Sequence, residues 1–360
     1  MSGRVAPAPV PGFGGYVPPA LEAGIRLFLD ANEGLPGRAV VEALAAADTV
    51  EAIRRYPRAA TLEADIEARP GPGVAALAPG SVLVTAGSDD AIARACRLFL
   101  GRGDRLLVFE PAFEMYAVSS RLVGAEPLGV PWPEGRVFPL SSAIDKARRS
   151  GAKAVALASP ANPSGAAASP EEVLELAEAL PDISIWVDGA YGEFAGRDTL
   201  AVALSRPNTL AMRTFSKAYG LAGMRLGWVA GPAATIGALR AAGAPYPVGS
   251  LSVLAGLAAR SKEGEAQMGA FVARVREERA TLQALLSRLG ARAAPSEANF
   301  VFARVRSALG LKAALAKAGI AIRAFPGRPG LEDAIRISCP GEAGAWSALA
   351  AAIEAAKEWL

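Results

Sequence analysis

The chain has 360 residues, 38 Lys and Arg against 35 Asp and Glu for a net charge of +3, two cysteines and no histidine. The missing imidazole removes serine and cysteine triads, histidine general bases and the commonest zinc and iron ligand sets. Cys96 and Cys339 are too few for a thiolate metal cage or a disulfide scaffold, and the small net charge leaves no electrostatic footprint for nucleic acid.

Residues 1–28 hold five prolines and read as an extended arm that ends on the strand-like run Arg26-Leu27-Phe28-Leu29. Residues 1–10 lack the apolar core of a signal peptide, and two unpaired cysteines suit a reducing cytoplasm. From residue 81 the pattern becomes regular. Short apolar runs predict strands over 81–85, 106–109, 154–158, 183–187, 209–213 and 225–230. Helical spacing between them predicts helices over 89–100, 113–123, 141–150 and 170–180. Strands apolar on both faces, alternating with amphipathic helices, describe an α/β unit with a mostly parallel sheet covered on both sides. The uncharged stretch 241–259 is long enough for a membrane span, but Gly243, Pro245, Pro247, Gly249 and Gly256 argue against a continuous helix. After residue 250 a long helix is expected over 267–289. Strands over 299–304, 319–323 and 334–338 and helices over 308–318 and 343–358 then form a smaller α+β unit. The apolar fraction of 52% is that of a packed globular protein, expected to keep clear of membranes and nucleic acid.

Several segments carry chemistry. Thr214-Phe215-Ser216-Lys217-Ala218-Tyr219-Gly220 places a lysine between two strand-like runs, among hydroxyls and small residues. A lysine inside an α/β unit is costly unless partnered or deprotonated, and it suits a Schiff base with an aldehyde cofactor, with Ser216 and Arg225 near an anion. As an isolated dipeptide it would read as a solvated loop lysine. Asp188 ends the run over 183–187, where open α/β sheets place ligands; it could hold a heteroaromatic nitrogen protonated or cap a helix. Asn162 before Pro163 makes a turn, and its amide could also donate to a phenolate. Gly87-Ser88-Asp89-Asp90 opens a helix whose free N–H groups and dipole form a phosphate cradle. Arg323 and Arg336 lie at the ends of two late strands, where a guanidinium could take a carboxylate or phosphate, or stay a surface charge.

These segments together resemble the fold-type-I pyridoxal-phosphate (PLP) aminotransferases, and within that group the histidinol-phosphate aminotransferases. Matching blocks run from Leu29-Asp30-Ala31-Asn32-Glu33 through Arg55-Tyr56-Pro57, Glu110-Pro111-Ala112-Phe113-Glu114-Met115-Tyr116 and the Lys217 segment to Ile335-Arg336-Ile337-Ser338. The resemblance implies the PLP-dependent transferase fold type I, with an arm over 1–28, a large α/β domain over 57–249 and a small α+β domain from 29–56 and 250–360. It implies that Lys217 forms the Schiff base and shuttles a proton, and that Asp188 pairs with the pyridinium nitrogen. By the same token Asn162 and Tyr191 would bond the phenolate, and Tyr116 would stack on the ring. Ser88, Asp89, Asp90, Ser216 and Arg225 would hold the phosphate. Tyr56 would reach it from a second subunit, making a homodimer with composite sites. Arg336 would bind the substrate α-carboxylate and Arg323 the substrate phosphate, with Asn162, Tyr16 and Asn32 as further substrate contacts, and no metal is called for.

The implied reaction is ping-pong transfer of an amino group between L-histidinol phosphate and 2-oxoglutarate, in histidine biosynthesis. Decarboxylation of threonine phosphate, transamination of another amino acid such as an aromatic one, and a non-catalytic binding module remain alternatives. Three positions depart from the family's pattern: Gly189 stands for a usual glutamate, Ala161 for a common asparagine, and Gly34-Leu35-Pro36-Gly37 for an Asn-Pro loop beside the substrate.

Overall fold

The computed structural model describes residues 23–360. The strands, in chain order, are β1 (Leu27–Leu29), β2 (Val82–Thr85), β3 (Arg105–Glu110), β4 (Glu126–Pro131), β5 (Ala154–Ala158) and β6 (Ser184–Asp188). They continue with β7 (Thr209–Thr214), β8 (Gly227–Ala230), β9 (Arg292–Ala293), β10 (Phe300–Arg304), β11 (Ile320–Ala324) and β12 (Ala334–Ser338). They form two sheets, a seven-stranded one in the order β2-β8-β7-β6-β5-β3-β4 and a five-stranded one in the order β1-β11-β12-β10-β9. In the larger sheet β3, β4, β5, β6 and β7 pair in parallel, and β8 runs antiparallel between β2 and β7. The smaller sheet is antiparallel except where β1 lies parallel to β11.

The period-2 alternation of the strands divides the larger sheet's side chains between two cores. Leu107, Val155, Leu157, Ile185, Val187 and Ala211 pack into one face, and Leu106, Val108, Ala154, Ala156, Trp186, Leu210 and Met212 into the other. Both sets are buried, which is why these strands read as unbroken apolar runs. The smaller sheet shares a third core with the Lys262–Arg288 and Ala343–Ala355 helices, around Phe300, Ile337, Leu282 and Ile353.

The structure departs from the sequence expectations at a few elements. β4 was not anticipated, because Pro127, Gly129 and Pro131 read as breakers; it is an edge strand, where a proline removes no ladder bond that a neighbour needs. The strand expected from residue 225 begins at Gly227, because Arg225 is in the left-handed region (φ 49°). Helices at Arg38–Ala45, Thr49–Arg54, Ala60–Ala68 and Ala233–Ala241 also lie outside the expected set. The uncharged stretch 241–259 resolves into a Pro/Gly turn and a 10-residue helix, Ser250–Ala259. No helix among the described residues is long and apolar enough to cross a membrane.

Candidate active site

Because β5, β6 and β7 are parallel neighbours, their C-terminal ends open at one edge of the sheet, and the side chains singled out above emerge there. Asp188 is the last residue of β6 and is 4% exposed. Its Oδ2 accepts the Tyr116 hydroxyl at 2.7 Å and its Oδ1 accepts the Ala190 N–H at 3.1 Å. Burial pushes this carboxyl up from its ordinary range, and the two hydrogen bonds pull against it. Tyr116 therefore enters the site through its hydroxyl, with its ring edge-on to Phe113 at 6.0 Å.

Lys217 follows β7 on an excursion whose ends are joined: Thr214 pairs with Gly227, and the Phe215 N–H donates to Leu226 O at 2.9 Å. Its Nζ donates to Ala31 O at 2.9 Å and lies 5.9 Å from the centroid of the Tyr191 ring. Burial, helped by the positive charge of Arg336, brings the amine down to about 8, with Glu33 and Asp89 opposing. The departing loop Gly34-Leu35-Pro36-Gly37 now has a physical account. A Cβ at Gly34 would overlap the Lys217 carbonyl, and one at Gly220 (φ +67°) would overlap the backbone of Leu35. The two loops are keyed together by glycine.

Beside the lysine, Asn32 holds a left-handed backbone (φ 55°) and is 1% exposed. Its Nδ2 donates to the Tyr191 hydroxyl at 3.0 Å, its Oδ1 accepts from Ser338 at 2.9 Å, and its carbonyl accepts from Asn299 at 3.1 Å. Burial raises the Tyr191 phenol above its usual value, and Arg336 counteracts. Arg336 donates to Asn162 Oδ1 at 2.6 Å and to Asp30 O, and lies 5.4 Å from the Phe300 ring centroid. Tyr191 meets the same ring edge-on at 5.3 Å.

The opposite side of the cavity is the start of the Gly87–Phe99 helix, directly after β2. Gly87 has φ +78°, and a Cβ there would press on Arg225 Nη2 at 3.0 Å. Arg225 Nη2 itself bonds Asp89 Oδ2 at 3.1 Å. Ser216 Oγ accepts the Thr214 hydroxyl at 3.0 Å. Asp90 turns its carboxylate away, to the Ala86 N–H at 3.2 Å and to buried Arg94 at 3.0 Å. Ser88, Asp89, Asn162, Asp188, Tyr191, Ser216, Lys217, Arg225, Arg323, Arg336 and Asn32 all border one cavity of about 460 Å³. A helix start with free N–H groups and a guanidinium suits a phosphate, a buried carboxylate suits a ring N–H, and an amine of reduced basicity suits an aldehyde. This donor set fits a phosphorylated heteroaromatic aldehyde.

Tyr56 is not brought to the cavity: it is 76% exposed and stacks on Tyr246 at 4.4 Å. Tyr16 lies outside the described residues. Sequence reasoning missed Arg213, which is 3% exposed on β7 and donates to Gly189 O at 2.8 Å and to Asp198. A Cβ at Gly189 would stand 2.7 Å from its guanidinium carbon, so the position without the usual glutamate is where Arg213 lies. It also missed Glu114 and Arg328, which line the cavity's rim. The Pro326-Gly327 turn just past Arg323 was the available signal.

The family model for aminotransferase class I and II matches residues 21–353. The chain belongs to this family. It is 35% identical over 344 residues to a histidinol-phosphate aminotransferase from Ruegeria pomeroyi, covering 93% of this chain and 91% of the relative. Among solved structures, histidinol-phosphate aminotransferase from Sinorhizobium meliloti in complex with pyridoxal 5'-phosphate superposes with a TM-score of 0.82 at 24% identity, over 93% of this chain and 91% of that one. L-threonine-O-3-phosphate decarboxylase from Porphyromonas gingivalis superposes with a TM-score of 0.78 at 24% identity, over 92% of this chain and 100% of that one. At these identities the structural matches establish the fold: a PLP-transferase type I architecture, α/β with a mostly parallel central sheet.

Proposed function

We propose that the chain is a PLP-dependent aminotransferase that passes the amino group of L-histidinol phosphate to 2-oxoglutarate in a ping-pong cycle of histidine biosynthesis. The observation that carries this reading is convergence on one cavity of the Lys217 amine, the Asp188 carboxylate, the Tyr191 hydroxyl, the Asn162–Arg336 pair and the first turn of the Gly87–Phe99 helix. The substrate rests on the relative that is 35% identical over nearly the whole chain. The likeness to a threonine-phosphate decarboxylase is one of fold, so it does not favour the decarboxylase reading.

When bound, PLP supplies an aldehyde and an electron-withdrawing ring. An amine held at about 8 gives Lys217 enough free base near neutrality to act as nucleophile and then to take and return a proton. Asp188 offers a buried anionic oxygen to a ring N–H, with its orientation fixed by Tyr116 and Ala190. Tyr191 and Asn162 would bond the phenolate, and Ser88, Asp89, Ser216 and Arg225 would surround the phosphate, with Asp90 offering its backbone N–H alone because its carboxylate is turned to Ala86 and Arg94. Arg336 would take a carboxylate of 2-oxoglutarate and Arg323 the phosphate of histidinol phosphate, each by charge-assisted hydrogen bonds. A homodimer is part of this reading: Val50, Ile53, Tyr56 and Tyr246 are exposed large apolar and aromatic side chains, the two tyrosines stacked on each other, and Tyr56 would complete the partner's phosphate site. Two buried free cysteines accord with a reducing cytoplasm.

A half-reaction screen tests the assignment. The PLP form is mixed with single amino donors, and conversion to pyridoxamine phosphate is followed by its spectrum. Histidinol phosphate should convert fastest. Release of CO₂ from threonine phosphate, or faster conversion with an aromatic amino acid, would overturn the substrate.

A further inference from the structure

The rim of the cavity holds a charge that the proposed reaction leaves unused. Just past β11 the chain reverses at Phe325-Pro326-Gly327-Arg328, where the Arg328 N–H donates to Phe325 O at 3.3 Å and Gly327 has φ +72°. Proline followed by a left-handed glycine is the signature of a type II turn. The turn brings Arg328 and Arg323 to one ring: the guanidinium carbon of each lies 5.9 Å from the centroid of Phe325, and both side chains border the cavity. Two cations share one aromatic platform.

They are held differently. The Arg323 guanidinium makes no hydrogen bond or ion pair among the described residues, and its contact is the Phe325 ring. Arg328 donates to Glu114 Oε1 and to Ala112 O, both at 3.1 Å. With side chains 31% and 36% exposed, the Arg328–Glu114 pair is open to solvent and weakly held. Glu114 opens the Glu114–Leu122 helix, whose positive end favours its charge whether or not Arg328 stays. A phosphate dianion offers a guanidinium two parallel charge-assisted bonds, a better partner than one solvated carboxylate oxygen.

We propose that Arg328 is an exchangeable specificity residue. It rests on Glu114 while the distal end of the cavity is empty or holds a monoanion, and moves to the dianionic phosphate of the donor beside Arg323. A ping-pong transaminase must seat two partners in turn in one site, and these differ in the anions they bring: the donor carries a dianionic phosphate and no carboxylate, the acceptor two monoanionic carboxylates. A movable second cation lets the same pocket match both. This inference rests on the phosphorylated donor proposed above.

The test uses the PLP-loaded protein in four forms: wild type, R328M, E114Q and the double variant. Each is assayed in half-reactions with histidinol phosphate and with 2-oxoglutarate, and by calorimetric binding of methyl phosphate, which has no amine to react. R328M should raise the KM for histidinol phosphate about tenfold and leave 2-oxoglutarate within about twofold. E114Q should lower the KM for histidinol phosphate about threefold, and that gain should vanish in the double variant. Equal shifts for both substrates, or an E114Q effect that persists without Arg328, would overturn the proposal. If the wild type ignores histidinol phosphate, the functional reading fails, and Arg328 is then judged on methyl phosphate alone. Weaker binding in R328M together with tighter binding in E114Q sustains the exchange, and unchanged binding ends it.

Discussion

At the floor of the cavity Asn32 bonds Tyr191 and Ser338, and Arg336 bonds Asn162, through hydrogen bonds of 2.6 to 3.0 Å, with Asn32 and Ser338 both 1% exposed. At the rim, Arg225–Asp89 and Arg328–Glu114 are ion pairs at 3.1 Å between side chains that water reaches, each arginine also donating to one backbone carbonyl. Asn32, Ser338 and Arg336 each have more than one partner, so losing one leaves others unsatisfied. A rim arginine is held by one solvated carboxylate and one carbonyl, and can change partner at low cost. The difference separates buried groups that are fixed in place from exposed ones that can adapt to different partners.

The largest effect expected from this contrast is at Lys217. Replacing it by alanine should abolish the visible absorbance of the PLP-loaded protein and lower transamination by about 10⁴-fold or more. A coloured, active variant would remove the amine from the floor's chemistry. In the wild type the amine is charged below about 8, so colour should develop faster after PLP addition as pH rises, levelling off above about 8. The same shift has a sign in stability. Folding lowers this group from 10.5 to about 8, so the unfolded chain binds the extra proton between those values, and the group's contribution improves as pH rises through that window. The wild type minus K217A difference in unfolding free energy should show this slope, and a flat difference would refute it.

A middle-sized effect is expected where the floor is keyed by glycine. Gly34→Ala must push against the Lys217 carbonyl, so urea denaturation should show a loss of about 1–3 kcal/mol together with slower PLP uptake. Unchanged stability and uptake would mean the two loops are not keyed. The smallest effect belongs to the rim. Asp89→Asn removes the exposed pair with Arg225 and should cost less than about 1 kcal/mol in the PLP-free protein. A much larger loss would place the rim on the same footing as the floor.

How much of this could be read from the sequence follows from the range of each interaction. Strand ends were legible because a run buried on both faces is continuously apolar, so Asp188 and the Lys217 segment could be placed at the sheet edge before any contact was known. Chain reversals left local marks, as at Asn162 and Gly87. Side-chain partnerships left none. Arg336 and Asn162 are 174 residues apart, and Arg328 and Glu114 are 214 apart. Tyr116 is a case between the two. Its arrival at the site followed from its place in the resemblance, which implied a stacking role for its ring, while the bond from its hydroxyl to Asp188 left no mark in the sequence. β4 was hidden because breaker residues are tolerated at a sheet's edge, a position that only the assembled sheet defines.

The lodging of Arg213 beneath the Asp188–Tyr191 turn bears on how this sequence can change over time. Its guanidinium occupies space that side chains at Gly189 and Gly192 would need, and it is tied down by Gly189 O and Asp198. Positions 189, 192 and 213 therefore form one unit of variation. A side chain gained at either glycine displaces the arginine from the turn that carries Asp188, unless residue 213 changes as well. Descendants of this chain should vary at these three sites in concert, and grafting a single residue from a relative into the turn should fail where exchanging the trio succeeds.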